Sequence, residues 1–344
     1  MTRRIKVGAV PIGGGAPIAV QSMLNCRTDD IPAAVRQILS LAGAGCDIVR
    51  LAVPDMESCR ALSKIRERVP VPLVADIHFD YRLAVEAVAA GADKIRINPG
   101  NIGSKDRVRA VADACRVRNI PVRVGVNGGS LEPELLARYG GPTAEALCES
   151  AINNARLLQD FGCEDICVSA KASDVRTCVA AYRLLSQKTD LPLHIGLTEA
   201  GTAFSGTIRS CAAMGALLLD GIGDTIRISL TADPVEEVRA AVELLRSLGL
   251  RGGAKLVSCP TCGRTRIDML PLAKELEARL ISCPKNITVA LMGCAVNGPG
   301  EAREADVGVA CSTDGGLLFK KGVPLRKVPA GRIVDELMAL IEKL

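Results

Sequence analysis

Tryptophan is absent and only seven aromatic residues occur in the chain, so the stacking platforms used by single-stranded nucleic-acid binders are missing. Excess charge is scarce as well. The 43 basic and 38 acidic residues leave a net +5, too weak and dispersed to mark a nucleic-acid surface. No apolar run is long enough for a membrane-spanning helix. The start Met1-Thr2-Arg3-Arg4-Ile5-Lys6 is basic, but Gly8, Pro11 and Gly13-Gly14-Gly15 follow it where an apolar leader would stand, which predicts a cytoplasmic protein. In that reducing setting the fourteen cysteines point to metal or redox chemistry rather than a disulfide framework, with most of them buried core thiols.

What the sequence does contain is repetition. One template enters a strand through proline: Pro17-Ile18-Ala19-Val20-Gln21, Pro72-Leu73-Val74-Ala75-Asp76, Pro121-Val122-Arg123-Val124-Gly125 and Pro192-Leu193-His194-Ile195-Gly196. The other ends a helix on glycine and follows with an acid: Gly45-Cys46-Asp47, Gly91-Ala92-Asp93, Gly162-Cys163-Glu164 and Gly223-Asp224-Thr225. Proline suits a first strand residue, and glycine supplies the left-handed helix stop. Helical patterns over 31–42, 81–90, 105–118, 143–161, 174–189 and 234–248 separate the strands. Eight strand–helix units predict an α/β fold, a (β/α)8 TIM barrel over residues 1–250, followed by a smaller α+β domain over 251–344. A doubly wound sheet would need a glycine-rich loop after its first strand, and Gln21-Ser22-Met23 is not one.

Strand side chains alternate, so the apolar phase facing the helices identifies the inward phase. In Ile226-Arg227-Ile228-Ser229-Leu230 the inward residues are Arg227 and Ser229. Elsewhere they are Gln21, Arg50, Asp76, His78, Arg96, Asn98, Arg123, Asn127, Ser169 and Lys171. Four arginines and a lysine thus converge at the C-terminal rim with Asp76 and Glu199 as the only obvious carboxylates, so an anionic ligand is expected there. Arginine's planar fork suits phosphate oxygens, and several arginines together suit a diphosphate. His194, low on its strand, reads as a hydrogen-bonded core histidine. Glu199 opens the loop after the seventh strand, where an acid can serve proton transfer.

The second domain concentrates its chemistry in Cys259-Pro260-Thr261-Cys262 and Gly293-Cys294-Ala295-Val296-Asn297-Gly298-Pro299-Gly300-Glu301. A C-x-x-C alone fits a zinc knuckle, a redox dithiol or half an iron–sulfur site. For zinc, Cys283 or Cys311 is available as a fourth ligand. The glycine-rich turn at Cys294 is suited to directing backbone N–H groups at cluster sulfides.

These two motifs, with Val74-Ala-Asp-Ile-His-Phe79, Arg96-Ile-Asn-Pro-Gly-Asn101 and Val168-Ser-Ala-Lys-Ala-Ser173, resemble the 4-hydroxy-3-methylbut-2-enyl diphosphate synthase family over nearly the whole chain, in its shorter bacterial form. The resemblance implies a 4Fe–4S cluster on Cys259, Cys262, Cys294 and Glu301. It implies reductive opening of 2-C-methyl-D-erythritol 2,4-cyclodiphosphate with electrons from ferredoxin or flavodoxin. Diphosphate contacts fall on Arg50, Arg96, Arg123, Asn127, Lys171 and Arg227, and the barrel acid on Glu199. A carboxylate grips iron less tightly than a thiolate, so Glu301 is expected to be the replaceable ligand. The connector over 249–254 reaches at most ~20 Å, shorter than the ~30 Å height of a barrel. A homodimer joining one subunit's barrel to the other's cluster domain is therefore expected, as the resemblance also implies. Rival readings are a zinc-dependent barrel enzyme for a phosphorylated small molecule and an iron–sulfur sensor.

Overall fold

The computed structural model describes residues 1–281, 283–294 and 302–344. The chain forms two compact units, Met1–Leu250 and Arg251–Leu344.

The first unit opens with an antiparallel hairpin, β1 (Ile5–Val7) and β2 (Val10–Ile12), joined by Gly8-Ala9 with Gly8 at φ +53°. A two-residue hairpin loop needs that positive φ, which glycine adopts without strain. Eight parallel strands follow: β3 (Ala19–Met23), β4 (Ile48–Ala52), β5 (Leu73–Asp76), β6 (Lys94–Ile97), β7 (Val122–Asn127), β8 (Ile166–Lys171), β9 (His194–Ile195) and β10 (Thr225–Ile226). Their order is β8-β7-β6-β5-β4-β3-β10-β9, and a parallel bridge from Val168 to Leu193 closes the ring. Helices alternate with the strands, including Met56–Arg66 and Ala203–Leu219, which the sequence patterns leave unmarked.

Outward strand residues such as Val49, Leu51, Ile95, Val124 and Ile195 pack with Ile38, Leu62, Val111, Leu158 and Leu245 of the helices in one large core. The barrel floor is separate. Ala19, Ile48, Val74 and Cys167 meet Ile5, Val7 and Ile12 of the hairpin, which plugs that end.

The repeated acid has a structural task. Asp47 accepts the Val20 N–H, Asp93 that of Leu73 and Asp224 that of Leu193, each at 2.8 Å. Each carboxylate at the start of one strand thus satisfies a neighbouring strand's backbone donor. Asp30, Asp55, Asp80, Asp174 and Asp233 cap helices at the opposite end of the barrel.

The second unit is a five-stranded mixed sheet: β11 (Lys255–Ser258), β12 (Thr288–Met292), β13 (Val307–Ser312), β14 (Gly315–Lys320) and β15 (Val323–Pro329). The first three are parallel and the last two return as an antiparallel meander. Leu276 and Leu280 of Met269–Leu280 and Leu337 and Ile341 of Ile333–Glu342 share a core with Val289, Leu291, Val309 and Leu318. Asp306 repeats the acid device, accepting the Thr288 N–H at 2.8 Å. Among the described residues, no helix is long and apolar enough to cross a membrane.

Candidate functional site

Asp76, 3% exposed at the end of β5, gathers the interior cations. Arg96 Nη1 lies 3.1 Å from Oδ1, while His78 Nε2 and Arg50 Nε lie 3.3 and 3.8 Å from Oδ2. Burial opposes its ionisation, but the charge of Arg50, the His78 hydrogen bond and the charges of Arg96 and Arg123 outweigh it, holding the carboxyl far below the usual carboxylate range. Arg96 also donates to the Gly125 carbonyl at 3.3 Å. A Cβ at Gly125 would come within 2.6 Å of Arg96 Nε, and one at Gly196 within 2.7 Å of Lys171 Nζ. Two missing side chains therefore make room for two of the cations, a need that strand patterning alone does not reveal.

The remaining cations are poorly matched. Arg123 is 2% exposed, and its Nε and Nη1 have no hydrogen-bond partner among the described residues. Burial and then the charge of Arg96 push its pKa down to about 10 against the pull of Asp76. Lys171 and Arg50 lie well below their ordinary values, chiefly through burial, with neighbouring arginines adding to it. Arg227 Nη2 is 3.5 Å from Glu237 Oε2 and its Nε is unpartnered. Fully buried Lys94 adds another basic group. An anion is the natural complement, because unpaired buried cations are costly and guanidinium forks match phosphate oxygens.

Three sequence expectations need correction. Glu237, 4% exposed on the helix Pro234–Ser247, is a further carboxylate beside Asp76 and Glu199. It accepts the Leu230 N–H at 2.9 Å and the Ser22 hydroxyl at 3.0 Å. The strand carrying Arg227 ends at Ile226, so Arg227 and half-buried Ser229 lie on the following loop, where Glu237 substitutes for ladder partners. His78 points out of the interior, 55% exposed, and reaches back only to Asp76. Asn98 caps Pro99–Ile102 through the Gly100 N–H and donates to Ser130 Oγ.

Buried Ser169 donates to the Val124 carbonyl at 3.3 Å. Gln21 is 1% exposed inside the barrel, with both amide atoms unpartnered. His194 is fully buried against Thr225 Oγ1 at 2.6 Å, a core residue whose pKa burial drives well below normal. Glu199 is exposed and lines a cleft of about 560 Å³ with Asn127, Ser130 and Thr198. Its φ of +54° is unusual for a side-chain-bearing residue, a strain that clusters at functional sites.

In the second unit, Cys259 follows β11 and Gly293-Cys294 follows β12, so the ends of two paired parallel strands bring these loops together. The Gly293 N–H donates to Cys259 Sγ at 3.1 Å and the Arg266 N–H to the Gly293 carbonyl at 3.1 Å. A Cβ at Gly293 would meet Thr265 Cγ2 at 3.0 Å. Cys262 is exposed, and its thiol is lowered mainly by the Arg264 backbone N–H. Glu301 lies outside the described residues, as do 295–300. Among the described residues no three ligand-type side chains converge closely enough to hold a metal. The donor types nevertheless suit a soft metal, with three thiols on adjacent loops and a backbone N–H on one sulfur. Cys283 and Cys311 instead belong to the helix-covered core, and burial pushes the Cys311 thiol up to about 11.

Residues 2–242 match the profile described as the GcpE TIM-barrel domain, and residues 255–343 match the GcpE protein C-terminal domain. The chain belongs to the GcpE family. Two relatives carry the name 4-hydroxy-3-methylbut-2-en-1-yl diphosphate synthase (flavodoxin). The protein of Geobacter sulfurreducens is 56% identical over all of this chain and 98% of its own length. That of Clostridium perfringens is 53% identical over all of this chain and 99% of its own. Among solved structures, dihydropteroate synthase from Stenotrophomonas maltophilia superposes on 72% of this GcpE-family chain and 97% of its own, with a TM-score of 0.53 at 18% identity. The Yersinia pestis enzyme gives 0.51 at 14%, over 72% of this chain and 98% of its own. At those identities the likeness concerns the barrel fold alone.

Proposed function

We propose that this GcpE-family protein converts 2-C-methyl-D-erythritol 2,4-cyclodiphosphate into 4-hydroxy-3-methylbut-2-en-1-yl diphosphate, a step of isoprenoid precursor synthesis. The observation that carries the reading is the set of inward cations around Asp76, seen in a chain alike over its full length to synthases of that name. In the net reaction a ring C–O bond and a C–OH bond break, two electrons and two protons enter, and water leaves.

Residues 1–250 bind the substrate in this reading. Arg50, Arg96, Arg123, Lys171 and Arg227 neutralise the two phosphates, and Asp76 holds Arg96 and Arg50 in place for them. Asn127, with Ser130, lines the cleft that Glu199 shares. His78 is kept at the rim by Asp76, Asn98 and Ser169 brace the loops and strands beneath, and Ser229 follows Arg227 on the β10 loop. Glu199 donates a proton from the cleft wall. Residues 251–344 would hold a 4Fe–4S cluster through Cys259, Cys262 and Cys294, with Glu301 as the fourth ligand. Such a cluster, when bound, supplies one electron at a time, received from flavodoxin or ferredoxin. The Gly293 N–H donates to Cys259 Sγ and fixes its orientation toward the loop that carries Cys294. The fourteen cysteines, read as thiols, fit a reducing cytoplasm. We further propose a homodimer in which one subunit's barrel is completed by the other's C-terminal unit, on the strength of the short connector.

The test is turnover. Anaerobically reconstituted protein with reduced flavodoxin should convert the cyclodiphosphate into an open diphosphate, read by the phosphorus NMR change from ring diester to terminal monoester. Unchanged substrate with an intact iron–sulfur chromophore would overturn the reading.

A further inference from the structure

Lys94, the first residue of β6, is fully buried, and its Nζ has no hydrogen-bond partner among the described residues. It faces into the barrel one inward position before Arg96, at the level of Val74 on β5. Beneath it lies the apolar floor of Ala19, Ile48, Val74 and Cys167, sealed by Ile5, Val7 and Ile12. The charged groups that act on it are Arg123 on β7 and Arg50 on β4, both positive, and the next inward residue of its own strand is Arg96. The polar neighbours of the interior are Gln21 on β3, buried Cys167 on β8 and His194 on β9.

Both carboxylates of the interior are engaged elsewhere, Asp76 by Arg96, Arg50 and His78, and Glu237 by Ser22, Leu230 and Arg227. Asp93 and Asp224 at the strand starts turn to the Leu73 and Leu193 N–H groups. An ammonium in such a place is expensive, because it lacks water, a hydrogen-bond acceptor and a counter-ion. An amine is not. In agreement, burial first, then Arg123 and Arg50, lower the Lys94 pKa to about 8 against the opposing influence of the Cys167 thiol.

We propose that Lys94 is the adjustable charge of the barrel: in mildly alkaline solution mainly a neutral amine while the rim holds no anion, and mainly an ammonium once a diphosphate-class anion binds, so that binding there draws protons from solvent onto Lys94. The inference rests on the diphosphate reading of the rim. An anion among Arg50, Arg96 and Arg123 offsets the repulsion that adds to burial in disfavouring the ammonium, and by linkage the protonated lysine tightens the anion in return. The chemistry gives this a use. Opening the ring turns a phosphodiester with one negative charge into a terminal monoester with up to two, and a proton already on Lys94 offsets part of that gain without any side chain moving.

The experiment titrates full-length protein labelled with carbon-13 at the lysine ε position, with sulfate as probe because it carries no titratable proton above pH 4. The Lys94 resonance is identified by its loss in Lys94→Arg. Its midpoint should stand near 8 without sulfate and rise by about one unit or more at saturation, a tenfold preference of sulfate for the protonated form. Should Lys94→Arg not fold, calorimetry of wild-type protein at pH 9 in buffers of different ionisation enthalpy should show proton uptake per bound sulfate. A Lys94 midpoint that sulfate does not move, an ammonium persisting to pH 10 in both states, or sulfate binding with no proton uptake overturns the proposal. Failure of sulfate to bind at all removes the diphosphate reading itself, and this inference with it.

Discussion

Asp76 keeps its charge where burial alone would neutralise it, because Arg50, His78 and Arg96 surround it, while Lys94 lies in the same barrel with no such company. Both folded pKa values are depressed, so each group makes stability rise with pH, Asp76 in the acid range and Lys94 in the alkaline range. The folded pKa of Asp76 lies below the unfolded value of about 3.9, so its contribution is complete above that value and is lost as pH falls through the folded one. The folded pKa of Lys94, about 8, lies below an unfolded value of about 10.4, so between these the unfolded chain binds more protons and stability rises with pH. Buried thiols with raised pKa values, such as Cys59 and Cys311, lower stability over the same range, so the Lys94 contribution is read as a difference: the stability of wild type relative to Lys94→Met in urea titrations should rise by up to about 1.4 kcal/mol per pH unit between pH 8 and 10. Gly125→Ala is expected to fold but to displace Arg96 from Asp76, weakening cyclodiphosphate binding by an order of magnitude or more in calorimetry. The alternation of strand residues made Arg50, Asp76, Arg96, Arg123 and Lys171 legible from sequence. It failed at His78 and Ser229 because their strands had already ended. Lys94 was hidden inside the glycine–acid turn signature, and Glu237 on a helix whose other acids face solvent.

Strand-start acids act at the scale of the element. Asp93→Ala removes the acceptor of a part-buried Leu73 N–H and should cost about 1–3 kcal/mol in urea unfolding, whereas Asp93→Asn, which keeps an acceptor oxygen, should cost less than half of that. The recurring Gly-x-Asp was visible as a pattern, yet its purpose was not, since the partner N–H lies about twenty or more residues away on the neighbouring strand. Helix limits followed from caps and periodicity to within a few residues. The plugging hairpin escaped notice because Gly8 and Pro11 read as interruptions, although Gly8-Ala9 is a two-residue turn between paired strands. Strands β9 and β10 are two residues each because loops and the Glu237 carboxylate take over their upper hydrogen bonds.

Two units with separate cores make up the whole molecule, and the proposed chemistry needs both. If two subunits share each site, Glu199→Gln protein and Cys294→Ser protein should each be inactive, and their co-expressed mixture should regain activity through the one intact site of the mixed dimer. No recovery in verified mixed dimers would favour a site made within one chain. From spacing alone the cysteine loops read as a zinc knuckle, a redox dithiol or half an iron–sulfur site, and the proposed choice of a cluster rests on the Cys294–Glu301 segment and the family. That choice is tested most directly by anaerobic reconstitution with iron and sulfide followed by elemental analysis. The account predicts about four iron and four sulfide per chain with broad absorption near 400 nm, lost in Cys294→Ser. A colourless protein that stays iron-free, or one that takes up zinc alone, would contradict it.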